Sequence, residues 1–222
     1  MIKAVIFDLD GLLVDTEIIS YQIYKELLSE YGYTFTKEEY ARNYSGKTGI
    51  KNMAGLIEAY QLPWTLEEGM AKEEPIESRF LARGVALKRG AKELLSFLKE
   101  KNYKTAVASS STEGRALDML REHGIVGCFD EFVFARDVEK GKPNPDIFLK
   151  ACEKMGERPE NCLVLEDSEA GIQAGDAAGM SVVCIPDMKR PDQVFLDKTA
   201  AVLDSLDEVI SYLEKSVKTS PE

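Results

Sequence analysis

The run from Ile2 to Phe7 is almost continuously apolar and rich in β-branched residues, and it breaks abruptly at Asp8. A strand without polar alternation has no side for water, so it belongs inside a parallel sheet covered on both faces. Short runs of the same kind recur at Thr105 to Ala108, Phe132 to Ala135, Cys162 to Leu165 and Ser181 to Ile185, each after a segment of helical period. Those helices are expected near Ala91 to Lys101, Thr112 to His123, Asp146 to Met155 and Glu169 to Ala178, with Gly156 and Gly179 as C-terminal stops. The alternation predicts an α/β fold with a doubly wound, mostly parallel, Rossmann-like sheet.

Between Asp15 and about Leu87 no such strand occurs, and the pattern is helical at Glu17 to Tyr31, Lys37 to Asn43, Gly49 to Tyr60 and Leu66 to Arg83. This predicts an all-α cap domain, 15–87, inserted into a core domain made of 1–14 and 88–222. Ligands of such sheets bind where the strands end, so an insertion directly after the first strand is expected to be a lid, with hinges near Leu13 to Thr16 and Val85 to Gly90. The alternative is a helical bulge that covers one sheet edge. Lys215 to Glu222 reads as a short solvated tail.

Charge narrows the partners. The 222 residues carry 28 Lys and Arg against 39 Asp and Glu, a net charge of −11, with no long basic run. A nucleic-acid partner is therefore not expected, and an anionic ligand needs a local positive device such as a Lys, a metal or a helix N-terminus. Cys128, Cys152, Cys162 and Cys184 form no CxxC pair, and no apolar stretch approaches membrane-spanning length. The expectation is a cytoplasmic protein, monomeric, with reduced thiols packed in the core, no membrane partner and no zinc site.

Four segments place polar groups at expected strand ends, which converge at the carboxyl edge of the sheet. In Asp8-Leu9-Asp10-Gly11, an ionised Asp can attack phosphorus without a separate base while a second Asp shuttles a proton. Taken alone the pair also suits a surface turn. In Ser109-Ser110-Ser111, hydroxyls and free N–H groups before a helix suit phosphate oxygens, or an ordinary helix cap. Gly141-Lys142-Pro143-Asn144-Pro145 is a stiff loop that can fix one ammonium against developing negative charge, or leave it in solvent. Glu166-Asp167-Ser168 adds two acids at the edge that holds Asp8 and Asp10, and Mg²⁺ is the cation that best relieves their repulsion. Asp167 or Ser168 is also a candidate N-cap. His123 is the only histidine and ends an expected helix, which excludes or strains serine-protease triads and His-rich metal sites, and it reads as a helix C-terminal group. Trp64 reads as packing, with contact to a substrate as the alternative.

The ordered set DLDGLLVDTE, VASSS, GKPNPDIF and LEDSEAGIQAG resembles the haloacid dehalogenase superfamily, in its phosphatase and β-phosphoglucomutase-like branch with a small helical cap. The resemblance implies Asp8 as nucleophile, Asp10 as general acid and then base, and Ser109, Ser110 and Lys142 as groups around the phosphate. It also implies a Mg²⁺ cofactor held by Asp8, Asp10 through its carbonyl, and Asp167, with Glu166 adjacent. The function it implies is a phosphatase of a small phosphorylated metabolite, working through an aspartyl-phosphate. A sugar phosphomutase is the alternative, and a phospho-Asp signalling switch is the second. The mutase pattern has a His in the first cap helix and an Arg after a cap glycine, where this chain has Ser20 and Gly46-Lys47-Thr48-Gly49. Gly46-Lys47 with Gln61-Leu62-Pro63 looks more like nucleotide or pseudouridine monophosphate phosphatases, with Lys47 as a candidate substrate contact.

Overall fold

In the computed structural model, which describes residues 1–218, the first apolar run forms β1 (Ala4–Phe7), buried throughout. The chain then passes through α1 (Glu17–Ser29), α2 (Lys37–Asn43), α3 (Gly49–Ala59) and α4 (Leu66–Leu81). From α5 (Ala91–Glu100) it alternates through β2 (Lys104–Ser109), α6 (Glu113–Glu122), β3 (Glu131–Phe134), α7 (Asp146–Met155), β4 (Cys162–Glu166), α8 (Glu169–Ala177) and β5 (Ser181–Cys184). It ends with α9 (Gln193–Leu196), β6 (Ala201–Val202) and α10 (Glu208–Lys218).

The six strands pair in the order β3-β2-β1-β4-β5-β6, and every pair is parallel. Winding runs outward from β1 to β3, then returns to place β4 on the other side of β1. The carboxyl ends of β1, β2 and β4 therefore adjoin where the winding reverses, the place such sheets open a crevice. Register completes the placement: Phe7 is level with Val107 and Leu165, so Asp8 emerges beside Ala108 and Glu166.

Successive strand residues point to opposite faces. Val5 and Phe7 join one apolar cluster with residues of α5, α6 and α10, while Ala4 and Ile6 join another with residues of α7 and α8. Both faces are dry, which is why the strands lack polar alternation.

The helices between β1 and α5 start where sequence-local caps allow. The Thr36, Thr48 and Thr65 hydroxyls accept from the N–H groups of Glu39, Lys51 and Glu68, with a full capping box at Thr65. Tyr24, Phe35, Tyr40 and Tyr44 form an aromatic cluster inside this bundle. The two crossings of the chain run side by side: Asp15 N–H donates to Ala86 O at 2.8 Å and Lys88 N–H to Leu13 O at 2.9 Å, within the segments expected as hinges.

Three elements differ from expectation. β6 and α9 are too short to carry a readable period. The supposed tail is in part helix: α10 reaches Lys218, held by Val209 and Leu213 one turn apart, both buried, and 219–222 lie outside the described residues. Charged residues in α10 hide that narrow apolar stripe. The cysteines are all free, with Cys152, Cys162 and Cys184 buried. Among the described residues no helix is long and apolar enough to cross a membrane.

Candidate active site

Lys142 is the hub of the carboxyl edge. Its loop, stiffened by Pro143 and Pro145 and by Asn144 Nδ2 donating to Gly141 O at 3.0 Å, turns the ammonium inward before α7. There it pairs with Asp8 and with Glu166 Oε1 (2.6 Å), donates to Ala108 O (3.1 Å) and lies 4.9 Å from the centre of the Phe148 ring.

Glu166, at the end of β4, is fully buried. Its second oxygen accepts from the N–H groups of Asp167 (3.0 Å) and Ser168 (3.1 Å) and from Ser168 Oγ (2.9 Å). Ser168 also caps α8 through Gly171 N–H. Only glycine fits at 171, because a Cβ there would meet the Glu166 carboxyl carbon at 1.8 Å. Gly11 serves Asp167 in the same way: its φ of +84° makes the turn after Asp10, and a Cβ would lie 2.4 Å from Asp167 Oδ2.

Asp10 faces different partners. It accepts from Ser111 Oγ at 2.6 Å and from Arg115 Nη1 at 2.7 Å, while Ser109 Oγ lies 3.5 Å away. Arg115 Nε in turn donates to Glu77 on α4 at 3.0 Å, tying the helical insertion to the sheet edge. Arg115 and Glu77 are not among the residues the sequence singles out, and Ser111 enters there only as part of the Ser109-Ser110-Ser111 segment. The one available signal was the spacing of Ser111 and Arg115, four apart and hence on one side of a helical turn. Ser110 and Lys47 line the same crevice, with the Lys47 ammonium 2.5 Å from Asn43 O rather than on another site residue.

These surroundings separate the acids electrostatically. Burial pushes the Asp8 carboxyl up to about 8: Lys142 opposes this, while Glu166 and Asp10 add to it. Asp167 is raised well above the carboxylate range by burial and then by Glu166, Asp8, Glu17 and Asp187. For Asp10, burial acts upward, but Arg115 and hydrogen bonds from Ser111, Arg115 and Thr16 outweigh it and hold the carboxyl low. Burial acts to lower Lys142, and Asp8 and Glu166 override it and raise it. Asp8, Glu166 and Asp167 each offer an oxygen, all within 4.8 Å of one another. A set of hard oxygen donors without thiol or imidazole, around an Asp167 whose carboxyl is raised by burial and by Glu166, Asp8, Glu17 and Asp187, fits a divalent cation such as Mg²⁺.

The crevice above these groups has a volume of about 830 Å³ and reaches from Asp8 and Lys142 into the helices, to Tyr24, Asn52 and Glu73. Trp64 does not line it. The indole packs edge-on against Tyr31 and donates to its hydroxyl at 2.9 Å, the packing role expected. His123 caps the end of α6, with Nε2 2.5 Å from Val85 O.

Glu73 is pushed up to about 7 by burial and then by Glu77, against Tyr24 and Arg115. The fold thus favours the neutral carboxyl, so its stabilising contribution is complete below about pH 4.5 and disappears as pH rises through about 7. The difference is on the order of 3 kcal/mol at most. Glu73→Gln is expected to flatten this dependence, gaining stability on wild type between pH 5 and 8 in urea melts. Parallel curves for the two proteins would remove Glu73 as the source.

The geometry has relatives. Residues 5–185 match the family model described as haloacid dehalogenase-like hydrolase. The chain is 30% identical to the phosphorylated carbohydrates phosphatase of Thermotoga maritima, over 96% of this chain and 99% of that protein. It is 34% identical to a Drosophila melanogaster protein named "Probable pseudouridine-5'-phosphatase", covering 90% of this chain and 88% of the other. Among solved structures, the β-phosphoglucomutase of Clostridium difficile superposes with a TM-score of 0.79 at 25% identity, covering 98% of both chains. With the strand-end carboxylates, the buried lysine and this match across the sheet, the chain belongs to the haloacid dehalogenase-like hydrolases.

Proposed function

We propose that the protein is a Mg²⁺-dependent phosphatase of small phosphorylated metabolites, with residues 15–87 as a lid over the crevice. The carrying observation is the division of the two N-terminal acids: Asp8 is bound to buried Lys142, and Asp10, two residues on, is held by Arg115 and Ser111. That division supports Asp8 as the acid that bonds phosphorus and Asp10 as the one that moves a proton.

Asp8 attacks the phosphorus of the ester, and the bond from phosphorus to the leaving oxygen breaks as Asp10 delivers a proton to that oxygen. Asp10 then takes a proton from water, which attacks the same phosphorus and releases phosphate from Asp8. Ser109 and Lys142 bind phosphoryl oxygens, and the fixed Lys142 charge offsets the negative charge that gathers there. The cation would be held by Asp8 and Asp167 with the Asp10 carbonyl, while Glu166, both oxygens engaged, orients Lys142 and Asp167. When bound it supplies charge neutralisation between the carboxylates and the phosphoryl group.

Arg115 keeps Asp10 ionised, the form the second step needs, and the first step requires Asp10 to exchange that contact for a proton. Removing the guanidinium raises the Asp10 pKa. Arg115→Met is therefore expected to move the acidic limb of the kcat profile to higher pH by about one unit or more. A limb that stays in place would exclude Arg115 from setting Asp10.

The function is tested by incubating the protein with Mg²⁺ and a panel of phosphomonoesters that includes β-glucose 1-phosphate, measuring free phosphate and glucose 6-phosphate. Phosphate release that EDTA stops supports the phosphatase. Glucose 6-phosphate accumulating with little free phosphate would replace it with a mutase, the reading that the likeness to β-phosphoglucomutase favours.

A further inference from the structure

The loop beyond β5 brings one more carboxylate to the sheet edge. β5 lies beside β4 with Cys184 level with Glu166, and Ile185 N–H donates to Glu166 O at 2.8 Å. The chain that follows therefore passes the end of β4, and Asp187 comes to rest near Asp167. Gly11 marks how near. A Cβ there would lie 2.4 Å from Asp167 Oδ2 and 3.4 Å from Asp187 Oδ2, so both carboxylates press on the face that the glycine leaves open. The two oxygens are no farther apart than the sum of those distances, a range over which charges inside a protein act on each other.

The two oxygens of Asp187 have different surroundings. Oδ1 accepts from Lys88 Nζ at 2.5 Å, and the same ammonium lies 3.8 Å from Asp15 Oδ1. Oδ2 is buried beside Gly11 without a hydrogen-bond partner, in a side chain only 9% exposed. A buried acceptor turned away from its one cation is costly, and its direction calls for a reason. Asp187 does not belong to the group of Asp8, Glu166 and Asp167, whose oxygens lie within 4.8 Å of one another. Its charge reaches that group from behind Asp167.

We propose that Asp187 is a positioning residue for the divalent cation, acting through space without touching the ion, and that Lys88 is the counter-charge that limits its pull. The negative charge of Asp187 favours a cation at Asp8 and Asp167, and the ammonium on its far oxygen opposes one. Lys88 and Asp15 stand on the two crossings between the sheet and the helical insertion, where Lys88 N–H donates to Leu13 O and Asp15 N–H to Ala86 O. The counter-charge is thus carried by the connection to the insertion rather than by the strands. The inference rests on the cation site of the proposed function, and the binding measurement below separates the two.

The test is calorimetric titration of Mg²⁺ into the full-length protein, freed of divalent cations, at pH 8. Asp187→Asn keeps the shape, removes the charge and is expected to weaken Mg²⁺ binding about 10-fold or more. Lys88→Met removes the opposing charge and is expected to tighten binding by about 3-fold or more. The opposite directions are the signature, because a pair that only held the loop in place would weaken binding in both variants. Asp167→Asn, which alters a proposed ligand, should abolish uptake and so identifies the site being read. Unchanged affinity in Asp187→Asn overturns the inference, as does weaker binding in Lys88→Met. Wild-type protein that takes up no Mg²⁺, or uptake that survives Asp167→Asn, overturns the cation site itself and this inference with it.

Discussion

Asp8→Asn is expected to reduce phosphate release by at least about 10⁴-fold, the scale on which removal of a covalent nucleophile acts. The amide keeps the shape of the carboxylate and loses its nucleophilic charge, so the loss should fall on kcat while the ester still binds. The fold should survive. Lys142 retains Glu166 and the Ala108 carbonyl as partners, and the substitution removes a carboxyl whose charged form burial disfavours. The sign follows from the raised pKa: wild-type Asp8 contributes most below the ordinary carboxylate range, and that contribution is lost as pH rises through about 8. In protein freed of divalent cations, the Asn variant should therefore gain stability on wild type as pH increases from 4 to 9. Residual turnover above about one per cent of wild type would move the nucleophile elsewhere; the thousandfold-and-larger losses seen for true nucleophiles leave no room for it.

Lys142→Met should damage both the fold and the chemistry. Among the described residues Lys142 is the one cation paired with Asp8 and Glu166, whose side chains are 10% and 0% exposed. Removing one member of a buried ion group leaves uncompensated charge and costs about 3–5 kcal/mol. For a chain of this size that corresponds to a fall in Tm of roughly 10 °C. The deficit should shrink as pH falls below about 8, where the raised Asp8 carboxyl takes up its proton. Lys142→Arg restores the charge with a planar, wider head that does not match the pocket against Phe148, so it should recover stability in part and activity little. A Met variant melting within a degree or two of wild type would show that the three groups are not coupled as the distances indicate.

Much of this was legible in the order of residues, for identifiable reasons. Asp8, Glu166 and Asp167 directly end or follow apolar runs, and a parallel sheet brings such ends to one edge, so their convergence follows from hydrophobic pattern and topology. Lys142 was readable because Pro143 and Pro145 follow it and limit where its loop can go. Arg115 and Glu77 were not readable: the Asp10 to Arg115 contact joins residues 105 apart, and Arg115 to Glu77 joins residues 38 apart across the sheet and the helical insertion. No local periodicity encodes such a pair. Of the three serines, Ser111 rather than Ser110 is on Asp10, a choice made by how the turn before α6 is oriented.

Local physics, then, suffices for the strands, the capped helices and the place of the inserted bundle, because burial on two faces and helix capping act over a few residues. The winding that sets β4 beside β1, the locking of Glu166 beneath Gly171, and the meeting of Tyr24, Asn52 and Glu73 from three helices belong to the tertiary structure. Each of these depends on the distance between side chains far apart in the chain, and long-range packing alone sets that distance.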